Sequence, residues 1–267
     1  MKQLKLMVLT LTLLMGTMFT SCMDSGESGP QQWAGVVKVN DRMGYVTFTD
    51  AAGTELIPTN TIPVTLNARM AYIYCQVDEG QDLSTNPKSI KITLLADPTG
   101  IDATAITTPK VGESADVTTN ASVGSLSFVS GYSTVAPFQF SENTIVLPVL
   151  YRVKNVTTTE DIKNELAKHT FTLVCYTDDI KSGDTILKLY LRYKVEDEPA
   201  AIAERATRTS SFKAYEISQI LREYTLKSGQ TKPAKITIVA QQNEYNNKLE
   251  DTSTIEKVYE IEYKTAE

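Results

Sequence analysis

The amino-acid sequence predicts a mainly β protein in which a small closed barrel precedes an antiparallel sandwich. Three observations lead to this prediction. The chain carries 13 tyrosines together with many threonines and valines, which are residues that strands favour. Short runs alternate between apolar and polar side chains, as half-buried strands do. Turn-forming Gly, Asn, Asp and Pro residues separate these runs.

Five of the predicted strands fall within residues 32–97, which we interpret as the first domain. Hairpin signals join the first three of them, at residues 40–42 and 50–53. A closed barrel leaves fewer bare strand edges than an open sheet of the same five strands. The sequence therefore predicts an OB-like β-barrel. The predicted strands are 33–40, 44–49, 54–58, 70–77 and 89–95.

Residues 98–121 are rich in Pro, Gly, Thr and Ser and lack a periodic apolar pattern, which predicts a linker. Residues 122–267 form the predicted second domain, a β-sandwich with one or two short helices. In its clearest strand, 185–195, Leu residues alternate with polar ones, as in a sheet with one buried face. The strands are predicted at 122–129, 144–153, 169–177, 185–195, 234–242 and 255–264, and the helices at 158–169 and 216–226.

The N-terminus has the pattern of a bacterial lipoprotein signal peptide at residues 1–21. Two lysines precede an apolar run that is shorter than the ~20 residues of a membrane-spanning helix. Cys22 then follows small residues, which resembles the lipobox whose cysteine is acylated before cleavage. We therefore predict lipidation of Cys22, with residues 22–31 as a flexible tether. The alternative is an ordinary secretory peptide cut near Ser25.

The charge of the mature chain argues against a nucleic-acid partner. Two of the 26 basic residues are removed with the signal peptide, so the mature chain has 24 basic and 32 acidic residues. A nucleic-acid surface needs clustered Lys and Arg.

The cysteines after Cys22 are Cys75 and Cys175, each within an alternating apolar run, where a free cysteine acts as a small buried hydrophobe. Their pairing in an oxidising compartment is the alternative.

Few residues suggest catalysis. His169, the single histidine, lies where a predicted helix meets a predicted strand, and we interpret it as a helix C-terminal residue favoured by the macrodipole. Asp178, Asp179 and Glu196 could serve glycoside hydrolysis if a deep cleft held them at the correct separation. Acidic residues in turns more often face solvent. We therefore predict no catalytic residue, no metal and no cofactor.

Four tyrosines form a candidate binding surface. Tyr190 and Tyr193 share one predicted strand, and Tyr259 and Tyr263 share another. Aromatic rings on neighbouring strands can stack on a sugar or pack against a protein partner. The alternative is that these rings pack inside the sandwich.

Several segments together resemble one family. They are Trp33, LIPTN at 56–60, RMAY at 69–72, LRY at 191–193 and SFKAY at 211–215. With the lipobox cysteine and the two-domain layout, they resemble the NigD-like lipoproteins of Gram-negative gut and oral bacteria. The resemblance implies an OB-like domain, a β-sandwich and a cell-envelope location. It implies no activity and transfers no catalytic residue.

Three functions remain open at this point. The first is a non-enzymatic binding or structural lipoprotein of the envelope, held to the outer membrane through Cys22, with a protein or glycan partner. The second is a bacteriocin-related accessory or immunity lipoprotein. The third is a carboxylate-dependent glycan hydrolase.

Overall fold

The computed structural model describes residues 31–42, 45–60, 66, 68–83, 87–109, 118–130 and 133–265. Cys22 and the predicted signal peptide lie outside these residues. Within them, every helix is too short or too polar to cross a membrane.

The chain divides into two compact units. The first comprises Met1–Ala103 with Val129–Val135, and the second comprises Thr104–Phe128 with Ala136–Glu267. The boundary between the units falls within the predicted linker, which contains two short strands, β6 (Thr99–Ile101) and β7 (Ala103–Ala105). The sequence allowed for one short strand in this segment but located neither, because three residues are too few to show a period.

The first unit is a closed barrel of five strands. They run in the order β1-β2-β3-β5-β4, and a β1–β4 pairing closes the ring. All pairs are antiparallel except β3 and β5, and β6 adds to the edge of β4. Trp33, Phe48 and Ile73 fill the interior. The predicted OB-like barrel is confirmed, with β1 (Gln32–Arg42), β2 (Tyr45–Thr49), β3 (Glu55–Pro58), β4 (Met70–Val77) and β5 (Ser89–Leu94).

The second unit is a sandwich of two four-stranded sheets, as predicted. One sheet has the order β10-β11-β14-β7 and the other β12-β13-β15-β16. Leucines, isoleucines and tyrosines from both sheets form one continuous core. Besides β7, the strands of these sheets are β10 (Phe138–Ser141), β11 (Thr144–Val153), β12 (His169–Val174), β13 (Ile186–Val195), β14 (Thr207–Glu216), β15 (Lys235–Gln242) and β16 (Ile255–Glu262). The short strands β8 (Phe128–Ser130) and β9 (Ser133–Val135) form a separate two-stranded sheet, and β9 belongs to the first unit.

The described residues of the second unit include three α-helices. The first, α1 (Thr159–Ala167), begins as predicted, because the Thr158 hydroxyl accepts a hydrogen bond from the Asp161 amide. The second, α2 (Pro199–Ala203), was not predicted, since five residues carry too little periodicity. The third, α3 (Ser218–Ser228), ends at Gly229, whose φ of 74° suits a residue without a side chain.

Two elements of the sandwich differ from the prediction. Strand β14 was missed because only Ala214 and Tyr215 within it are fully buried, which leaves no alternating pattern. The predicted strand at 122–129 consists instead of isolated bridges that lead into β8. Here Gly124 donates to the Leu150 carbonyl, and a Cβ on Gly124 would lie 3.2 Å from that oxygen.

The two described cysteines are free. Cys75 lies in β4 of the barrel, and Cys175 follows β12 in the sandwich. Both side chains are buried, and burial raises the pKa of each thiol to about 12, with a smaller contribution from Asp78 and Asp179 respectively. They are therefore small core residues rather than a bridge.

Candidate functional site

The four predicted tyrosines do not form one surface. Tyr193 and Tyr259 are buried in the sandwich core, with exposures of 1% and 9%. Tyr190 points to the opposite face of β13 from Tyr193, because strand side chains alternate, whereas Tyr263 packs partly against the core. Tyr190 is half-buried on the outer face, and the half-buried Tyr263 donates a hydrogen bond to the Glu142 carbonyl. The expectation of a shared tyrosine platform is therefore wrong.

The predicted catalytic carboxylates lie on exposed turns rather than in a cleft. Asp178 and Asp179 belong to a short turn after β12, and Asp178 forms an ion pair with Lys227 at 2.9 Å. Glu196 is exposed just after β13. Carboxylates in water on separate turns cannot bracket a glycosidic bond. The hydrolase hypothesis that rested on these three residues is contradicted.

A cluster of buried charges instead lies where α1, α2 and β12 meet. Arg205, just after α2, has a fully buried side chain that donates to both carboxylate oxygens of Glu165, at 2.7 and 3.2 Å. It also donates to Asp197, at 2.8 Å. His169 faces Glu165 through Nε2, at 3.3 Å, and faces the Tyr193 hydroxyl through Nδ1, at 2.7 Å. The residues span separate segments, and Arg205 lies at their centre.

The environment of the cluster sets its charge states. Burial alone would raise the pKa of Glu165, but hydrogen bonds from the Lys154 amide, Arg205 and His169 outweigh burial and lower it. Burial lowers the pKa of His169, and this effect exceeds the opposing hydrogen bond and charge of Glu165. The folded protein therefore holds an ionised Glu165 beside a neutral His169.

This cluster stabilises the fold rather than performing a reaction. Both ring nitrogens of His169 are engaged, by Glu165 and Tyr193, and the imidazole is 1% exposed. The ring therefore has no nitrogen to offer a substrate. The sequence-based interpretation of His169 as a helix C-terminal residue is wrong, since the residue begins β12 in the core. The folding of β13 brings Tyr193 beside it, which the sequence did not indicate.

The low pKa of His169 predicts a loss of stability in mild acid. Below about pH 6.5 the unfolded chain binds a proton on this histidine that the folded protein does not bind, so stability falls as the pH decreases. The contribution of Glu165 is lost only at lower pH, as the pH falls through its own depressed pKa. His169→Gln should flatten the decline between about pH 7 and pH 5, because no other histidine is present. Urea titrations across this range would measure it, and equal pH dependence in both proteins would contradict it.

The most exposed ordered aromatic ring of the second unit lies on the loop between β15 and β16, residues 243–254. Tyr245 at its start is 75% exposed. The loop backbone is nevertheless tightly held. The side-chain oxygen of the buried Asn243 accepts hydrogen bonds from the amides of Tyr245 and Asn246, at 2.9 and 3.1 Å. Such Asx turns fix a loop locally.

A buried guanidinium also forms hydrogen bonds with the backbone of this loop. Arg152 of β11 is only 6% exposed, and it donates to the carbonyls of Glu244 and Tyr245. Asn247, fully buried, donates in turn to the Arg152 carbonyl, at 3.1 Å. These contacts join residues about ninety positions apart in the sequence. Tyr245 therefore projects into water from a backbone that is already ordered.

An open pocket lies beside this ring. Its volume is about 160 Å³, smaller than the ~300 Å³ of a site that encloses a small molecule. It can therefore contact one end or one unit of a larger ligand. Its walls combine apolar and hydrogen-bonding groups, from Gln242, Glu244, Tyr245, Ser253 and Ile255. Sequence reasoning missed Tyr245 because the residue lies in a run of turn formers, NEYNNK, where no strand pattern draws attention to it.

Comparison with solved structures places the chain in a family. It is 96% identical to a "putative lipoprotein" from Bacteroides fragilis, covering 89% of this chain and all of that one, with a TM-score of 0.82. The chain belongs to this lipoprotein family. The lipoprotein part of the sequence-based resemblance is thereby confirmed. No protein-family profile and no curated protein matches the chain.

A more distant structure shares the fold. A protein of unknown function from Bacteroides vulgatus is 11% identical, with 88% of this chain and 92% of that one covered and a TM-score of 0.54. A NigD-like immunity protein from Bacteroides caccae also matches, at 11% identity over 87% and 93% of the two chains, with a TM-score of 0.47. The lipoprotein membership gives the chain a membrane-associated place in the cell envelope.

Proposed function

We propose that this protein is a non-enzymatic binding lipoprotein whose second unit takes a glycan at the Tyr245 pocket. The observation that carries the proposal is an exposed aromatic ring on a rigid loop, bordered by hydrogen-bonding side chains. The C–H bonds of a sugar ring carry partial positive charge and stack well on the negative face of an aromatic ring. Sugar hydroxyls need donors and acceptors at the rim, and the pocket offers both kinds.

Each wall of the pocket suits a part of a sugar. The Tyr245 ring offers a face for stacking, and the Ser253 hydroxyl can donate or accept. Gln242 donates to Glu244 at 3.3 Å, which orients that carboxylate. Ile255, 56% exposed, adds an apolar edge. A glycan matches this mixture better than a charged ligand does.

The ordered loop makes weak contacts effective. Binding normally costs the free energy of ordering side chains and loops. Here Arg152 and Asn243 already fix the backbone that carries Tyr245. Most of the stacking energy is then available for affinity.

Tyr245→Ala is expected to weaken glycan binding by about tenfold or more, because truncation of a central aromatic contact costs at least ~1.4 kcal/mol. A glycan array of neutral oligosaccharides would identify the probe, and calorimetry would give the affinities of both proteins. Tyr45→Ala is the matched control, since Tyr45 is an exposed tyrosine of the barrel at 56%. Unchanged binding by Tyr245→Ala, or an equal loss in both variants, would contradict the proposed site.

We further propose that Cys22 carries the lipid and that the protein resides in the outer membrane. Lipoprotein membership and the lipobox-like sequence support the anchor. Several acyl chains are needed for stable attachment, since a single chain gives only reversible binding. The polar residues of the tether would let both units work away from the bilayer surface.

An immunity role is the second candidate, and the NigD-like resemblance of the sequence motivates it. Under this proposal the protein would protect its producer from a bacteriocin. Deletion of the gene should then raise sensitivity to supernatants of sibling strains. Unchanged sensitivity would remove this candidate.

A further inference from the structure

Two arginines lie side by side on the outer face of the β10-β11-β14-β7 sheet. Arg152 of β11 and Arg208 of β14 are directly opposed in the antiparallel pairing of these strands. Arg152 points away from the core because its neighbour Tyr151 points into it, and opposed residues share a face. Like charges in directly opposed positions destabilise a sheet. The two strands therefore place two positive charges at one point of the surface.

The hydrogen-bond acceptors of this arginine pair are neutral carbonyl groups. Arg152 donates to the carbonyls of Glu244 and Tyr245, and Arg208 donates to the same Glu244 carbonyl, at 3.1 Å. The two guanidinium groups are close neighbours because they share this oxygen. Among the described residues, no carboxylate lies within 4.0 Å of either group. The two charges are therefore hydrogen-bonded without being neutralised.

The Glu244 carboxylate does not serve these arginines, although its backbone does. It accepts a hydrogen bond from Gln242, at 3.3 Å, and it lines the Tyr245 pocket. The described walls of that pocket include neither Arg152 nor Arg208. The arginine pair is therefore a separate site, and what binds there is independent of any glycan at the pocket.

Both side chains keep N–H groups that a ligand can use. A guanidinium has five N–H donors in a planar fork. Arg152 donates through Nε and Nη2, and its Nη1 has no acceptor in the part of the chain that the structure describes. This Nη1 is also not among the buried polar atoms that lack a partner, so it reaches solvent. Arg208 is exposed and uses only Nη2, which leaves most of its fork available.

We propose that Arg152 and Arg208 together bind the phosphate group of a ligand. Two neighbouring guanidinium forks match both the charge and the oxygen geometry of a phosphate. The loop carbonyls already hold Arg152 in place, so little further ordering is needed on binding. Burial, and next the charge of Arg208, lower the pKa of Arg152. A bound anion offsets both effects, because it returns a negative charge to a partly desolvated cation.

Calorimetric titration of the full-length protein tests the site with two probes, inorganic phosphate and glucose 6-phosphate. Both are used at low millimolar concentration and constant ionic strength, because concentrated phosphate stabilises proteins without binding them. Arg208→Gln is expected to weaken binding about tenfold or more, since it removes charge-assisted hydrogen bonds. Arg208→Lys should be intermediate, because lysine keeps the charge and loses the fork. Binding of both probes identifies free phosphate as sufficient, and binding of glucose 6-phosphate alone identifies a phosphate ester.

Arg222→Gln is the matched control, since Arg222 is an exposed arginine of α3, and it should bind the probes like the wild type. Urea unfolding in chloride buffer verifies that Arg208→Gln folds. The probe that binds should then raise the unfolding midpoint of the wild type and not that of Arg208→Gln. Failure of the wild type to bind either probe would overturn the proposal. Equal affinity in the wild type and Arg208→Gln, or equal losses in Arg208→Gln and Arg222→Gln, would overturn it as well. If Arg208→Gln does not fold, Arg208→Lys replaces it under the same criteria.

Discussion

Replacing Arg205 with alanine is expected to lower the free energy of unfolding of the second unit by about 3–5 kcal/mol. The side chain of Arg205 is fully buried and neutralises Glu165, whose own side chain is 5% exposed. The variant would leave that carboxylate without its cation in a low-dielectric interior. It would also remove the hydrogen bonds that Arg205 donates to Asp197 and to the Ala201 carbonyl of α2.

Urea unfolding followed by tyrosine circular dichroism would measure this loss, because Tyr193 and Tyr215 belong to the core of the second unit. Fluorescence of Trp33, the single tryptophan, reports the barrel in the same sample. Lys235→Ala is the matched control, since it breaks an exposed ion pair with Glu260 that contributes ~1 kcal/mol or less. Glu165→Leu combined with Arg205→Met should cost less than Arg205→Ala alone. An Arg205→Ala protein as stable as Lys235→Ala would refute the role of the cluster.

Cys22→Ala is expected to abolish lipid attachment completely, since no other residue of the N-terminal segment can take its place in the proposed anchor. Cells grown with labelled palmitate should label the wild-type protein and not the variant. Globomycin, which inhibits the lipoprotein signal peptidase, should make the wild-type protein accumulate as the longer precursor. The variant should remain uncleaved at residue 22 with or without the drug.

Ser21→Ala provides the control for this experiment, because it keeps a small residue before the cysteine and should retain both labelling and cleavage. Palmitate incorporation into Cys22→Ala would refute the anchor. An unlabelled, soluble wild-type protein would refute it as well. The second result would favour the ordinary secretory peptide cut near Ser25.

The barrel and the sandwich were predictable because most of their strands show an alternation of apolar and polar residues within their own sequence. In β13, buried leucines alternate with exposed Lys188 and Lys194, and the period of two identifies the strand and its buried face. The same alternation placed Tyr193 on the leucine side, so its burial could have been predicted. Strand β14 could not, because its residues are mostly half-buried and its pattern is visible only once β11 lies beside it.

The candidate site was much less predictable. Tyr245 lies among turn formers, and its significance depends on Arg152, which hydrogen bonds to the loop from another sheet. Arg205 and Glu165 are forty residues apart and meet only because α1 and α2 pack at the same end of the sandwich. Neither pairing leaves a spacing in the sequence that could be recognised.

The sequence by itself determined the mainly β fold class, the buried face of strands such as β13 and the start of α1. These features depend on contacts between near neighbours, such as the Thr158 hydroxyl and the Asp161 amide. Only the tertiary structure decided which charges are buried together and which tyrosines reach solvent. Those outcomes depend on strand order, above all on the parallel pairing of β13 with β15 across the intervening α2, β14 and α3. Strand order is set by the burial of the whole core, to which residues far apart in the chain contribute together.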